Sequence, residues 1–501
     1  MNKTLTAGAL ALALLAGVGA APAQTLRIGL AEDPDILDPT LARTFVGRIV
    51  FSALCDKLID ITPDLKLVPR LATEWNWSAD EKSLTVKLRP DVLFHDGEKL
   101  DAAAAKYSLE RHLTLPGSFR RAEIRGIKAI EVLDPLTFRI DLEAPFAPLV
   151  AQLTDRAGMM VSPKAARAMG DKFGTAPVCT GPFKFVERVA QDRIVLERFE
   201  QYWEKDKIHL QRIEYRPIID NTVRLANLKS GQLDFIERVA ATDLDDVRKD
   251  RRFKLSSIVE LGYQGITINM GNGARAKGPM GNPKVREALE LSLDRQALIQ
   301  VVFNGEFEVG NQWISPGNAA YNKAIPVPKR DVAKARALLR EAGHPNPTIE
   351  FMVATTGEAQ QVAQVIQSMT KEAGFDLKIR ATEFASSLKL AEQGDFEIYY
   401  LGWSGRTDPD GNLVQFITCG SPNNNSGHCN QEVEKLILAS RSTNDLAKRR
   451  EAWHAIARVT LTDRPIVYLF HRKWFWAYAN KVSGLVEYPD GLVRVHGLKV
   501  N

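Results

Sequence analysis

Within residues 396–430, FEIYYLGWSGRTDPDGNLVQFITCGSPNNNSGHCN, a ring, a guanidinium and two carboxylates stand close together as Trp403, Arg406, Asp408 and Asp410. An indole offers an apolar wall, a guanidinium offers a planar fork of donors suited to a carboxylate or phosphate, and a carboxylate can fix an amine. No nucleophile stands beside a base, and no metal ligands cluster. The chemistry available is capture rather than reaction. Gly402-Trp403-Ser404-Gly405-Arg406 lacks the last glycine of the hydrolase elbow G-x-S-x-G, and it runs into Asp-Pro rather than a helix, which argues against a serine nucleophile. Each group also has a structural role open to it. Arg406 can pair with Asp408, Asp410 or Glu383 and brace the turn, Trp403 can be core, and Asp-Pro-Asp-Gly is ordinary turn chemistry. The eight histidines show neither helical pairing nor H-E-x-x-H, so neither a metal nor a cofactor is expected.

The elements around this stretch set its position. Strand TIEFMVA (348–354), a helix striped by Val362, Val365, Ile366 and Met369, strand DLKIRAT (376–382), helix SSLKLAEQG (386–394) and strand FEIYYLGW (396–403) alternate as β-α-β-α-β. Such a series predicts a mixed or parallel sheet with helices on both faces, and it puts Trp403 and Arg406 at a strand's carboxyl end, where open α/β sheets bind ligands. A polar turn is expected over 407–412. Upstream, Leu84, Val86 and Leu88 alternate as a half-buried strand, 101–113 reads as a helix, and 127–142 as a hairpin around Asp134-Pro135. Asn282-Pro283 starts a helix that the pattern carries to Asn304-Gly305, and Asp331 and Gly343 bracket another. The Gly-rich stretch 271–283 reads as a loop between domains. A further helix spans Leu446 to Leu461, and strands close the chain near 466–470 and 474–478.

The first residues set the compartment. Lys3, the apolar run Ala7 to Val18 and Ala21-Pro22-Ala23 have the form of a cleavable signal peptide over 1–23, and the run is short of the ~20 residues that span a bilayer. Export into a bacterial periplasm is expected. The formal net charge of +5, less Lys3, is nearly balanced over a long chain without a basic block, so nucleic acid is not an expected partner. The length implies two or three domains. Cys55, Cys179, Cys419 and Cys429 form an even set in an exported chain, which favours disulfides, and four cysteines allow three pairings. Cys419 and Cys429 flank a Gly/Pro/Asn-rich loop that can fold back on itself. Closing that loop would contribute about 2.8 kcal/mol in the chain-entropy model, and a Cys55–Cys179 loop about 4.9 kcal/mol.

Several motifs in order carry a family resemblance. Residues 71–111, LATEWNWSADEKSLTVKLRPDVLFHDGEKLDAAAAKYSLER, resemble the signature of extracellular solute-binding protein family 5, the dipeptide, oligopeptide and nickel receptors of ABC importers. Thr180-Gly181-Pro182-Phe183-Lys184-Phe185, Tyr202-Trp203, Leu228 to Asp234, Val285 to Leu289 and Ala337 to Gly343 follow in the family's order, so the resemblance covers essentially the whole mature chain. It implies a periplasmic-binding-protein type II-like clamshell of two α/β lobes plus an inserted small α+β domain. By that analogy lobe I takes 24–65, 180–265 and 479–501, the insertion 66–179, and lobe II 266–478.

The implied function is capture of a small peptide or peptide-like solute between the lobes and delivery to an inner-membrane permease, by a protein that is not an enzyme and is expected to be monomeric. An exported hydrolase or peptidase, or a ligand-presenting chaperone or signalling adaptor, would use the same cleft. Thr44 and Phe45 follow the first strand's loop, where family members line the cleft, Tyr263 and Gln264 enter the crossing strand, and Trp313 follows a glycine turn. These join Trp403, Arg406, Asp408 and Asp410 as ligand-binding candidates, while Trp474 and Trp476 read as interlobe packing. Two departures matter. Arg406 stands where peptide receptors of the family place an amine-binding aspartate, which favours a carboxylate-bearing solute. Cys179 replaces the glycine before Thr-Gly-Pro-Phe, which points to Cys55–Cys179 beside Cys419–Cys429.

Overall fold

The computed structural model describes residues 24–501, so the expected signal peptide over 1–23 lies outside the described residues. A seven-stranded sheet is built around Thr25–Leu30, whose Leu26, Ile28 and Leu30 are wholly buried. This strand runs parallel to both Arg212–Pro217 and Phe235–Glu237, which are joined by the helix Asn221–Lys229, the kind of crossover that parallel strands require. Antiparallel hairpin partners Phe183–Val189 and Arg193–Arg198 extend one side, and Lys473–Ala479 with Phe253–Val259 the other.

A six-stranded sheet forms the second α/β unit. Thr348–Ala354 lies parallel to both Asp376–Thr382 and Ile398–Trp403, linked through the helices Gly357–Lys371 and Phe384–Glu392. Tyr263–Ile268 is buried along its whole length and pairs antiparallel with Ile398–Trp403 and Ile466–His471. The alternating series expected here is present within two residues at each boundary. A smaller four-stranded antiparallel sheet, Ala72–Trp77, Ser83–Leu88, Thr137–Leu142 and Ile127–Asp134, packs with the helix Ala102–Thr114 around Leu84, Val86, Leu88, Phe138 and Ile140.

Two short segments cross between the large sheets. The first runs from Val259 to Tyr263, and the second passes through Arg472, between Ile466–His471 and Lys473–Ala479. They are tied to each other: the Glu260 N–H donates to the Arg472 carbonyl at 2.9 Å, and the Arg472 N–H donates to Glu260 Oε1 at 2.8 Å. Strand 473–479 therefore belongs to the first sheet, and the chain returns at 472 rather than near 478.

Three local expectations are corrected. The helix expected over 283–305 is two, Pro283–Leu291 and Arg295–Phe303, because Asp294 accepts from the Ala297 N–H at 2.9 Å and starts a new helix. The Gly-rich stretch 271–283 folds into short 3₁₀ turns within the second unit, since the strand before it already belongs to that sheet. The polar turn at 407–412 leads directly into a helix, Asp410–Ile417, so the strand–turn does run into a helix after all. Both disulfides, Cys55–Cys179 and Cys419–Cys429, are formed. Among the described residues, no helix is long and apolar enough to cross a membrane.

Candidate functional site

A cavity of about 190 Å³ lies where the carboxyl ends of the parallel strands of both large sheets converge on the crossing segments. Glu32 and Arg238 reach it from the first sheet, Gln264 and Leu401 to Ser404 from the second, Glu260 and Arg472 from the crossings, and Arg120 and Arg156 from the region that carries the small sheet. Two glycines make the crossing fit. A Cβ on Gly262 would stand 1.6 Å from the Trp403 carbonyl oxygen, and Gly405, at φ +84°, would meet Leu261 at 2.4 Å.

Of the nine candidate ligand residues, Phe45, Gln264 and Trp403 line the cavity. Phe45 opens the helix Phe45–Leu54 and stacks on Trp474 at 4.4 Å with 6° between the planes, so Trp474 lines the cavity too, while Trp476 is core. Trp403 donates through Nε1 to Asn412 Oδ1 at 3.1 Å and meets Phe416 edge-on at 4.9 Å. The other six are placed elsewhere. Thr44 is buried as the N-cap of the Phe45 helix, accepting from the Gly47 N–H and donating to Asp35 at 2.9 Å. Tyr263 packs edge-on against Tyr468 at 4.7 Å, and Trp313 is wholly buried in the same cluster. Asp408 is held by both arms of Arg449 at 2.8 and 2.9 Å, and Asp410 by Arg441 at 2.6 and 2.9 Å.

Arg406 turns away from the cavity. Its guanidinium lies 4.3 Å from the Trp403 ring, donates to the Gly405 carbonyl at 2.8 Å, and stands 3.5 Å from both Asp155 and Glu123. It pairs with neither Asp408, Asp410 nor Glu383 among the described residues. Its partners come from the region that carries the small sheet.

The charges lining the cavity were mostly not foreseen, and they are unevenly distributed. At one end Arg48, Arg120, Arg156 and Arg406 surround the carboxylates of Glu123 and Asp155, and none of the six side chains is more than 4% exposed. Arg48 reaches Asp155 at 2.5 Å, Arg120 pairs with Glu123, and Arg156 donates to the Ala42 carbonyl at 2.7 Å. Burial pushes the Asp155 carboxyl up, but Arg406, Arg48 and Arg156 outweigh it and hold the group well below the usual carboxylate range. Burial, reinforced by Arg120, drives the Arg156 guanidinium well below its ordinary value, and burial lowers Arg48 as well. The Nε groups of Arg48, Arg120, Arg156 and Arg406 have no hydrogen-bond partner among the described residues. Four cations face two anions in contact with them, away from water, and the further carboxylate that acts on Arg48, Asp490, is itself paired with Arg494 at 2.8 Å, so the group keeps a surplus of positive charge. Arg120 and Arg156 expose that surplus to the cavity.

At the crossing end the arginines are matched. Arg238 pairs with Glu32 at 2.9 Å and Glu237 at 2.8 Å, and Arg472 with Glu358 at 2.5 Å. These carboxylates outweigh burial and raise both guanidinium groups above their ordinary value. Arg43, also in the lining, lies 4.4 Å over Phe119 and 3.4 Å from Glu392. Asn423 and Asn425 reach the cavity from the loop closed by Cys419–Cys429. The hydroxyl of Ser404 accepts from Arg48 Nη1 at 3.0 Å, a cation rather than a general base. Among the described residues no group of His, Cys, Asp and Glu stands where it could hold a metal ion.

Comparison with known proteins agrees with this fold. The profile of the bacterial extracellular solute-binding proteins, family 5 Middle, matches residues 66–425. The glutathione-binding protein GsiB of Pectobacterium atrosepticum is 30% identical over 472 residues, covering 91% of this chain and 90% of that protein. The Escherichia coli GsiB is 28% identical over 499 residues, covering 97% and 96%. Among solved structures, the periplasmic binding protein AgaA of A. tumefaciens in complex with agropinic acid superposes with a TM-score of 0.87 at 29% identity, covering 95% of this chain and 99% of that one. The dipeptide-binding protein of Pseudoalteromonas sp. in complex with Met-Leu shares the fold, with a TM-score of 0.89 at 21% identity, covering 95% and 100%.

Proposed function

This chain belongs to the bacterial extracellular solute-binding proteins of family 5, and from that premise we propose that it is the periplasmic receptor of an ABC importer, capturing a small carboxylate-bearing peptide or peptide-like solute in the cavity between its two large sheets. The observation that carries the ligand class is the buried group of four arginines around Glu123 and Asp155, which presents Arg120 and Arg156 to the cavity with a surplus of positive charge. A solute carboxylate there supplies the missing anion and accepts charge-assisted bonds. The names of the relatives agree in chemistry: glutathione carries two carboxylates, and agropinic acid is an acid.

Arg406 acts from behind this surface, holding Glu123 and Asp155 while its face covers Trp403. Phe45, Trp403 and Trp474 supply apolar walls, the usual division of labour in a small-molecule cavity. The paired crossings at Glu260 and Arg472 serve as the hinge about which the lobes close, and the closed monomer delivers its solute to an inner-membrane permease without reacting with it. Isothermal titration of the mature protein with glutathione, Met-Leu and the corresponding amides in which every carboxylate is amidated tests the ligand class. Binding of the free acids with loss of at least tenfold on amidation is expected, and amides that bind as tightly as the acids would overturn it.

A further inference from the structure

At the crossing end of the cavity one carboxylate is incompletely satisfied. Glu260 lines the cavity and is buried to 1% exposure. Its Oε1 accepts from the Arg472 N–H at 2.8 Å and, more weakly, from Gln264 Nε2 at 3.4 Å, whereas Oε2 has no partner among the described residues. The arginines around it direct their ion pairs and hydrogen bonds elsewhere, although Arg224 Nε, Arg238 Nη2 and Arg472 Nε each keep a buried N–H with no partner among the described residues. Arg472 turns its guanidinium to Glu358, Arg238 lies between Glu32 and Glu237, and Arg224 donates to the Ile218 carbonyl and Asn221. Four carboxylates here, Glu32, Glu237, Glu260 and Glu358, face three guanidinium groups, the reverse of the imbalance at the Arg120–Arg156 end. Tyr400, in the same lining, also has a buried hydroxyl with no partner among the described residues.

A buried carboxylate oxygen with no donor is costly unless a ligand supplies one. We propose that Glu260 Oε2 receives the ammonium group of the solute, so that the cavity selects amphoteric solutes carrying a free amine and a carboxylate over simple acids. This rests on the carboxylate-capture reading above and adds its second pole. It also gives the hinge a direct stake in the ligand. The same carboxyl group holds the Arg472 N–H of the other crossing segment, so an ammonium bound to Oε2 joins the two crossings through one side chain.

The test is isothermal titration of the whole mature protein with glutathione, Met-Leu and their N-acetyl forms, in wild type, Glu260→Gln and Glu260→Asp, with each variant's folding checked by its melting curve. N-acetylation should weaken wild-type binding at least tenfold. Glu260→Gln should weaken the free-amine ligands by a similar factor and cut the discrimination below threefold, and Glu260→Asp should retain it. Equal binding of amine and N-acetyl forms by wild type, or undiminished discrimination in Glu260→Gln, would overturn the assignment of Glu260 alone. If none of the four probes binds wild type, the carboxylate-capture reading fails and this inference falls with it.

Discussion

Arg406 Nε lies 3.5 Å from Asp155 Oδ2, so the turn after a strand of the second large sheet is joined to the region that carries the small sheet by a buried ion pair. Asp155 in turn is held by Arg48 at 2.5 Å, from the helix that follows the first sheet's opening strand. Three separate parts of the chain thus meet at one carboxylate. The surplus of guanidinium around it is what gives the cavity its charge.

Arg156→Met should weaken binding of a carboxylate-bearing probe such as glutathione by at least tenfold, about 1.5 kcal/mol or more, because a charge-assisted bond is lost. The unliganded variant should melt no lower than wild type, since removing one of four cations set against two carboxylates offsets the lost bond to Ala42. Titration and scanning calorimetry check the two halves separately.

Arg406→Ala should do the opposite and cost stability more than affinity. It removes a desolvated stack on Trp403 at 4.3 Å and a charged bond to the Gly405 carbonyl, together about 2 kcal/mol or more. Urea unfolding of the unliganded variant measures the loss. A normal unfolding midpoint with a tenfold weaker dissociation constant would instead put Arg406 on the ligand.

Glu260 makes stability depend on pH. Burial pushes its carboxyl up to about 7, against an ordinary 4.5, with Arg472 and Gln264 opposing burial, Glu358 reinforcing it, and Tyr400 in the same lining. Between those values the folded chain keeps a proton that the unfolded chain has released, so this group's contribution to stability falls as pH rises from 4.5 to 7 and is constant outside that window. The difference in unfolding free energy between Glu260→Gln and wild type should therefore grow in favour of the variant by about 3 kcal/mol across the window. Denaturant curves at about pH 4 and about pH 8, on either side of the window, read it directly, and a pH-independent difference would contradict the placement of this carboxyl.

Opening the Cys419–Cys429 loop should affect both stability and ligand. The paired Cys419→Ser and Cys429→Ser variant should lose about 2.8 kcal/mol in the chain-entropy model. It should also bind more weakly, because Asn423 and Asn425 reach the cavity from inside that loop. Melting curves and titration of the double variant check both.

Much of the fold was legible because its signals are local. The strand 348–354 carries Ile349, Phe351, Met352 and Val353 between clear stops, the strand 376–382 alternates Leu377, Ile379 and Ala381 with polar residues, and both form at those residues. The helix from 283 was read too long because its apolar pattern runs through a break that Asp294 marks only by its capping chemistry. The site was less legible for a different reason. Asp408 and Asp410 look like free turn carboxylates until Arg449 and Arg441 arrive from a distant helical hairpin. Arg120 and Arg156 have no tell-tale spacing, since what makes them a site is their convergence with Arg48 and Arg406. Glu260 stood four positions before the Gln264 that was singled out, but its missing partner is a property of the folded cavity.

The most direct test of the account is native mass spectrometry of the protein purified from its native host without denaturation, followed by identification of the released solute. The account predicts a small solute bearing at least one carboxylate, lost on substitution of Arg156 by Met. A bound solute without any anionic group, or one retained undiminished by that variant, would contradict it.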